Sequence, residues 1–112
     1  MEKRILPGCW KDRIINPITG KVEYLLTEYQ GIMESNGSYA DGCFEKVQSL
    51  HVEYFGLKEG GACWTSKPYS EMATIVHPDS QHSCTHGIGG PNHIFLYHIR
   101  KLTFDFTINL FT

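Results

Sequence analysis

A chain of 112 residues with a formal net charge of −2 has the length of one domain, and its lysines and arginines are too scattered for a nucleic-acid footprint. Hydrophobic residues make up 41 % and charged residues 20 %, a balance that excludes a disordered chain. No apolar run approaches the ~20 residues that cross a bilayer, so no membrane role is expected.

The N-terminus, Met1-Glu2-Lys3-Arg4-Ile5-Leu6-Pro7, is charged and lacks the apolar stretch of a signal peptide. The expectation is a cytoplasmic protein, although the trimmed form of an exported one would read the same way. Turn signals follow at short intervals: Asn16-Pro17-Ile18-Thr19-Gly20, Asn36-Gly37, Asp41-Gly42, Glu59-Gly60-Gly61, His77-Pro78-Asp79 and Gly87-Ile88-Gly89-Gly90-Pro91. This punctuation suits an all-β chain.

Between these signals the residues alternate. Val22, Tyr24 and Leu26 are apolar among mostly polar neighbours, which predicts a half-buried strand over 21–27. The run from Tyr29 to Ser35 leads into Asn36-Gly37, a type I′ hairpin signal, with Ser38-Tyr39-Ala40 as the returning strand. Residues 44–55 carry two patterns. Leu50, Val52 and Tyr54 alternate as in a strand, while Phe44, Val47, Leu50 and Tyr54 recur at nearly helical spacing. Valine, tyrosine and phenylalanine favour sheets, so a strand is expected.

Further strands are expected at Ala62–Ser66 and Met72–Val76. Ile94-Phe95-Leu96-Tyr97-His98-Ile99 is apolar on both faces and predicts a strand buried on both sides. From Leu102 to Leu110 every even residue is apolar and every odd one polar, the pattern of a strand with one wet face. The total is about eight strands and at most one helix. So large a sheet in so short a chain must curl or split. The fold class expected is all-β, mainly antiparallel, forming one domain over residues 1–112 as a small barrel or strongly curved sheet.

Leu6-Pro7-Gly8-Cys9-Trp10 resembles the Gly-x-Trp opening of lipocalin-like barrels. Tyr29 to Tyr39, with Gly31, Asn36 and Gly37, is similar to a hairpin of that family. Arg100-Lys101-Leu102-Thr103-Phe104 is similar to its closing strand. The stretch from Glu59 to His93 has no counterpart in the resemblance. What the resemblance implies is a barrel holding a small apolar molecule. Trp10, Tyr24, Tyr39, Tyr54, His98 and Phe104 are the expected pocket or barrel-floor residues. Aromatic side chains of this kind are more often core than pocket, and His51 and His98 read as wall or core histidines.

A second reading starts from the segment His77–His93, which holds four of the six histidines and a cysteine. His82, Cys84 and His86 would share one side of an extended backbone, with His93 returning as a fourth ligand. Imidazole and thiolate are the donors zinc prefers. The spacing matches no established zinc signature, and the plainer reading is a solvated loop. Cys84 with His82, His86 and Asp79 also forms a local Cys-His-Asp set, but triad partners usually come from separate elements. No catalytic residue is assigned. The glycine run Gly87–Gly90 lacks the Lys-Ser/Thr pair of a phosphate loop.

Cys9, Cys43, Cys63 and Cys84 form no Cys-x-x-Cys pair. In a reducing compartment they are expected as buried free thiols. In an exported chain they would form two disulfides, in one of three connectivities. The leading functional expectation is a small-molecule binder with an apolar ligand. A zinc-dependent protein is its rival, and an interaction or inhibitor domain without a pocket is the third reading. Apolar strand edges also allow a homodimer.

Overall fold

The computed structural model describes residues 5–33, 38–69, 72 and 83–99. The expected strand at 102–110 and the Asn36-Gly37 hairpin turn lie outside them, as does most of the expected strand at 72–76. The described residues are mainly antiparallel β, as expected. The strands are β1 (Gly8–Lys11), β2 (Arg13–Ile15), β3 (Val22–Tyr24), β4 (Glu28–Ile32), β5 (Tyr54–Lys58), β6 (Ala62–Thr65), β7 (Cys84–Thr85), β8 (Ile88–Gly89) and β9 (His93–His98), with one α-helix, α1 (Tyr39–Val47).

Five strands form one sheet in the order β1-β9-β5-β6-β4, and β2-β3 and β7-β8 form two small ribbons. The large sheet is open: β1 and β4 are its edges and do not meet. Closure into a barrel is therefore not a feature of the described residues.

The interior strand β9, between β1 and β5, follows the sequence closely. Its register places Leu96 opposite both Gly8 and Gly56, and Phe95 opposite Cys9 and Leu57. Ile94 and Leu96 are fully buried on one face, and Phe95 and Tyr97 are half-buried on the other. One face carries Trp10, Ile94 and Leu96 and is covered by Ile14, Leu25, Leu26 and Met72. The opposite face carries Phe55, Leu57 and Cys63 and is covered by Cys43 and Val47 of α1. Full burial of each large aliphatic side chain contributes about 1.5–3 kcal/mol. Gly56 permits close packing on the first face, because a Cβ there would meet Ile94 Cδ1 at 2.5 Å and Leu26 Cδ1 at 3.0 Å.

The α-helix corrects three expectations. Ser38-Tyr39-Ala40 does not return as a strand: Ser38 is the N-cap, and its hydroxyl accepts from the Asp41 backbone N–H at 3.2 Å. Residues 44–50 are helical, ending in a 3₁₀ turn at Gln48–Leu50. Asp41-Gly42 lies inside the first turns of the helix rather than in a loop. Cys43 and Val47, four residues apart, form the buried stripe, as helical periodicity requires. His51 takes a left-handed conformation (φ 59°) and is exposed, so it is neither a core nor a wall residue.

The cysteines are paired, Cys9 with Cys84 and Cys43 with Cys63, and none is free. This corrects the expectation of buried thiols. Cys9–Cys84 joins the edge strand β1 to the β7-β8 ribbon, and Cys43–Cys63 joins α1 to the sheet. Among the described residues no helix is long and apolar enough to cross a membrane.

Candidate functional site

A cleft of about 380 Å³ opens at one end of the large sheet. Three separate parts of the chain build it. Asp12 and Arg13 come from the β1–β2 junction. Lys58, Glu59, Ala62 and Trp64 come from β5, β6 and their connection. Gly90, Pro91, Asn92 and His93 come from the turn that starts β9.

Asp12 organises this end of the molecule. It is 3 % exposed, and its backbone is fully engaged. Its N–H donates to the Asn92 carbonyl at 3.0 Å, and its carbonyl accepts from the Leu25 N–H at 2.9 Å. The carboxylate accepts two hydrogen bonds from the Arg13 guanidinium, at 2.8 and 3.0 Å. Lys58 Nζ stands 3.2 Å from the same carboxylate. Burial pushes the carboxyl pKa up. The hydrogen bond from Arg13 and the charge of Lys58 together outweigh burial and hold it below its ordinary value. A buried charge persists only with such partners.

The cations rest on aromatic faces. Lys58 Nζ lies 4.2 Å from the Trp64 ring centroid and 5.5 Å from that of Tyr24. Arg13 lies 5.1 Å over Tyr24, its cross-strand partner. Tyr29 packs against Trp64 with centroids 5.1 Å apart. Tyr29, Trp64, Lys58, Tyr24 and Arg13 thus form one alternating surface of rings and cations, with Asp12 beneath it. Each cation–ring contact contributes about 0.5–2 kcal/mol. The Trp64 Nε1–H is buried without a hydrogen-bond partner.

The expected pocket residues do not converge on this cleft. Trp10 is 1 % exposed in the core, and its Nε1–H donates to the Leu6 carbonyl at 2.7 Å. Tyr54 and His98 do meet, with ring centroids 4.8 Å apart, and the Tyr54 hydroxyl donates to the Ile5 carbonyl at 3.1 Å. Tyr39 packs against the helix-covered face. Tyr24 is 40 % exposed beside the cleft. Phe104 lies outside the described residues.

The expected metal set is corrected at Cys84, whose sulfur is bonded to Cys9 and so supplies no thiolate. The same bond removes it as a nucleophile. His86 is exposed in the β7–β8 turn with φ 54°. His93 donates from Nδ1 to the Pro91 carbonyl at 2.9 Å. His82 lies outside the described residues. Among the described residues no three His, Cys, Asp or Glu side chains are grouped to hold a metal ion. Comparison with protein-family models, curated proteins and solved structures returned no match to this chain.

Proposed function

We propose that this chain is a non-catalytic recognition module of an oxidising compartment, and that it binds a small polar molecule in the cleft between Asp12, Trp64 and Asn92. The observation that carries this reading is the convergence of three distant segments on one cleft whose buried carboxylate, Asp12, is paired with both Arg13 and Lys58. Its volume falls within the usual range for ligand sites. Two disulfides in a small domain fit a secreted or luminal setting better than the cytoplasm.

The lining favours a polar ligand over the apolar one implied by the lipocalin-like resemblance. Arg13 and Lys58 are balanced by Asp12 and Glu59, so a ligand without large net charge fits best. The face that a barrel would leave hollow is occupied by Trp10, Leu25, Leu26, Ile94 and Leu96. The test is a fragment screen by amide and indole NMR. Shifts confined to Trp64, Asn92 and His93, lost in Trp64→Ala, support the reading. No perturbation of the cleft by any class of polar compound overturns it.

A second reading, an interaction domain, is favoured by one feature. Ile15, Ile18 and Val22 on the β2–β3 ribbon are 68 %, 90 % and 49 % exposed. Adjacent exposed apolar residues mark contact surfaces. Self-association through this ribbon would be lost in Ile15→Lys, and sedimentation measures it.

A further inference from the structure

The cleft carries two unlike charges that do not meet. Arg13 and Lys58 share the single carboxylate of Asp12, at 2.8 and 3.2 Å. Asp12 is ionised, its pKa lying below the ordinary value. Two cations against one carboxylate leave one positive charge in excess. Arg13, with its side chain 45 % exposed, presents that charge to solvent more than Lys58 does at 17 %. Glu59 lines the same cleft and is exposed. Among the described residues it makes no ion pair.

Local structure keeps the two charges apart. Glu59 follows Lys58 in the chain, but the Lys58 ammonium is already drawn to Asp12 and held 4.2 Å over the Trp64 ring. Glu59-Gly60-Gly61 turns the chain between Lys58 and Ala62, the last pair of the β5–β6 ladder. Gly60 and Gly61 hold φ of 81° and 85°, which glycine does without strain.

The aromatic rings are also engaged. Lys58 lies over Trp64, and both cations lie over Tyr24. A ligand stacked on those faces would displace a cation, so recognition falls to charge and hydrogen bonding. Arg13 gives Asp12 its Nε and one Nη2 bond, which leaves the Nη1 donors for a second carboxylate. Guanidinium–carboxylate and ammonium–carboxylate hydrogen bonds are among the strongest available.

We propose that the cleft binds a small zwitterion of the free α-amino-acid class, its carboxylate on Arg13 and its ammonium on Glu59. The proposal rests on the reading of this cleft as the binding site and adds the class of molecule. A simple anion would set like charge against Glu59, and a simple cation would set it against Arg13 and Lys58. A zwitterion answers both ends at once.

The test titrates the full, disulfide-bonded chain with each protein amino acid in turn, followed by amide and indole NMR. The methyl ester and the N-acetyl derivative of each, and glycerol, are the controls. The expected result is a saturable shift of Glu59, Trp64 and Asn92 by at least one amino acid. Either blocking group should weaken that binding about tenfold or more, and added salt should weaken it too. Glu59→Gln, at an exposed position, should weaken the free amino acid about tenfold and leave its N-acetyl derivative unchanged. A cleft shifted only by other polar compounds, or by amino acids no more than by their blocked derivatives, overturns the zwitterion and leaves the cleft reading standing. A cleft that no compound shifts overturns both.

Discussion

The Asp12 carboxylate and the Lys58 ammonium meet at 3.2 Å across the intervening strand β9. That contact connects the β1–β2 junction to β5 beyond the sheet's own ladder and holds Lys58 over Trp64. Asp12→Asn keeps the shape and removes the charge. It leaves Arg13 and Lys58 facing a neutral amide and is expected to cost about 1–3 kcal/mol. Denaturant unfolding with the disulfides intact measures it. A double-mutant cycle with Lys58→Met isolates the pair, and a coupling of about 0.5 kcal/mol or more is expected for groups in one network. Strict additivity would show that the contact is incidental.

The same carboxylate sets an acid dependence. Its native pKa is lowered, whereas an unfolded aspartate titrates near ~3.9. The unfolded state therefore takes up the proton first as pH falls. The stability Asp12 contributes is complete above about pH 5 and is lost as pH falls through its native pKa. Melting temperatures of the wild type should fall more steeply below about pH 4 than those of Asp12→Asn. Parallel acid limbs for the two proteins would contradict the assignment.

The parts of the fold legible in the sequence are those where one local pattern decides. Ile94–Ile99 is apolar on both faces, and Ile94 to His98 lie in the interior strand β9. Asn16 to Gly20 reads as a turn and is one: the Asn16 side-chain carbonyl accepts from the N–H groups of Ile18 and Thr19 at 2.8 and 3.2 Å. The helix was written too, in Cys43, Val47 and the Ser38 cap, but alternation at Leu50, Val52 and Tyr54 overlaid it. Val22 and Tyr24 alternate as a buried face would, yet both are exposed, and Leu26 reaches the core only after the strand has ended. The cleft had no local signal. Asp12, Lys58 and Asn92 are far apart in sequence, and only the sheet order brings them together. The disulfide partners were hidden for the same reason, since pairing depends on tertiary approach.

Removing the disulfides should reveal their different spans. Cys9 and Cys84 are 75 residues apart, and Cys43 and Cys63 are 20 apart. Chain entropy assigns roughly 4.5 kcal/mol to the longer loop and roughly 3 kcal/mol to the shorter. Paired Cys→Ala variants are compared by denaturant midpoint. The Cys9/Cys84 double variant is expected to be the less stable. The reverse order would place the dominant contribution in native packing around α1.

Gly89, the last residue of β8, packs the β7–β8 ribbon directly against the start of β9. A Cβ there would collide with the His93 carbonyl and approach Ile94 Cα at 2.6 Å. Because backbone atoms are the obstacle, side-chain repacking gives no relief. Gly89→Ala should cost about 1–3 kcal/mol and shift the NMR signals of Asn92 and His93 in the cleft wall. Wild-type stability with unchanged signals would mean the ribbon sits further from β9 than its packing indicates.

Tyr97 gives an alkaline counterpart to Asp12. Its hydroxyl donates to the Gly87 carbonyl at 2.8 Å, and its ring stacks on Phe55 with centroids 4.9 Å apart. Burial pushes the phenol pKa up, so the native state holds this proton after an unfolded tyrosine, with its pKa near ~10, has released it. The stability involved is complete below the unfolded pKa and is lost as pH rises through the higher native one. Ultraviolet titration of the folded protein should show a late-ionising phenol that disappears in Tyr97→Phe. That variant also loses one hydrogen bond, worth about 0.5–1.5 kcal/mol. If the difference between the two titrations is instead a phenol ionising in the ordinary range, Tyr97 is open to solvent and the β7–β8 ribbon is not seated on β9.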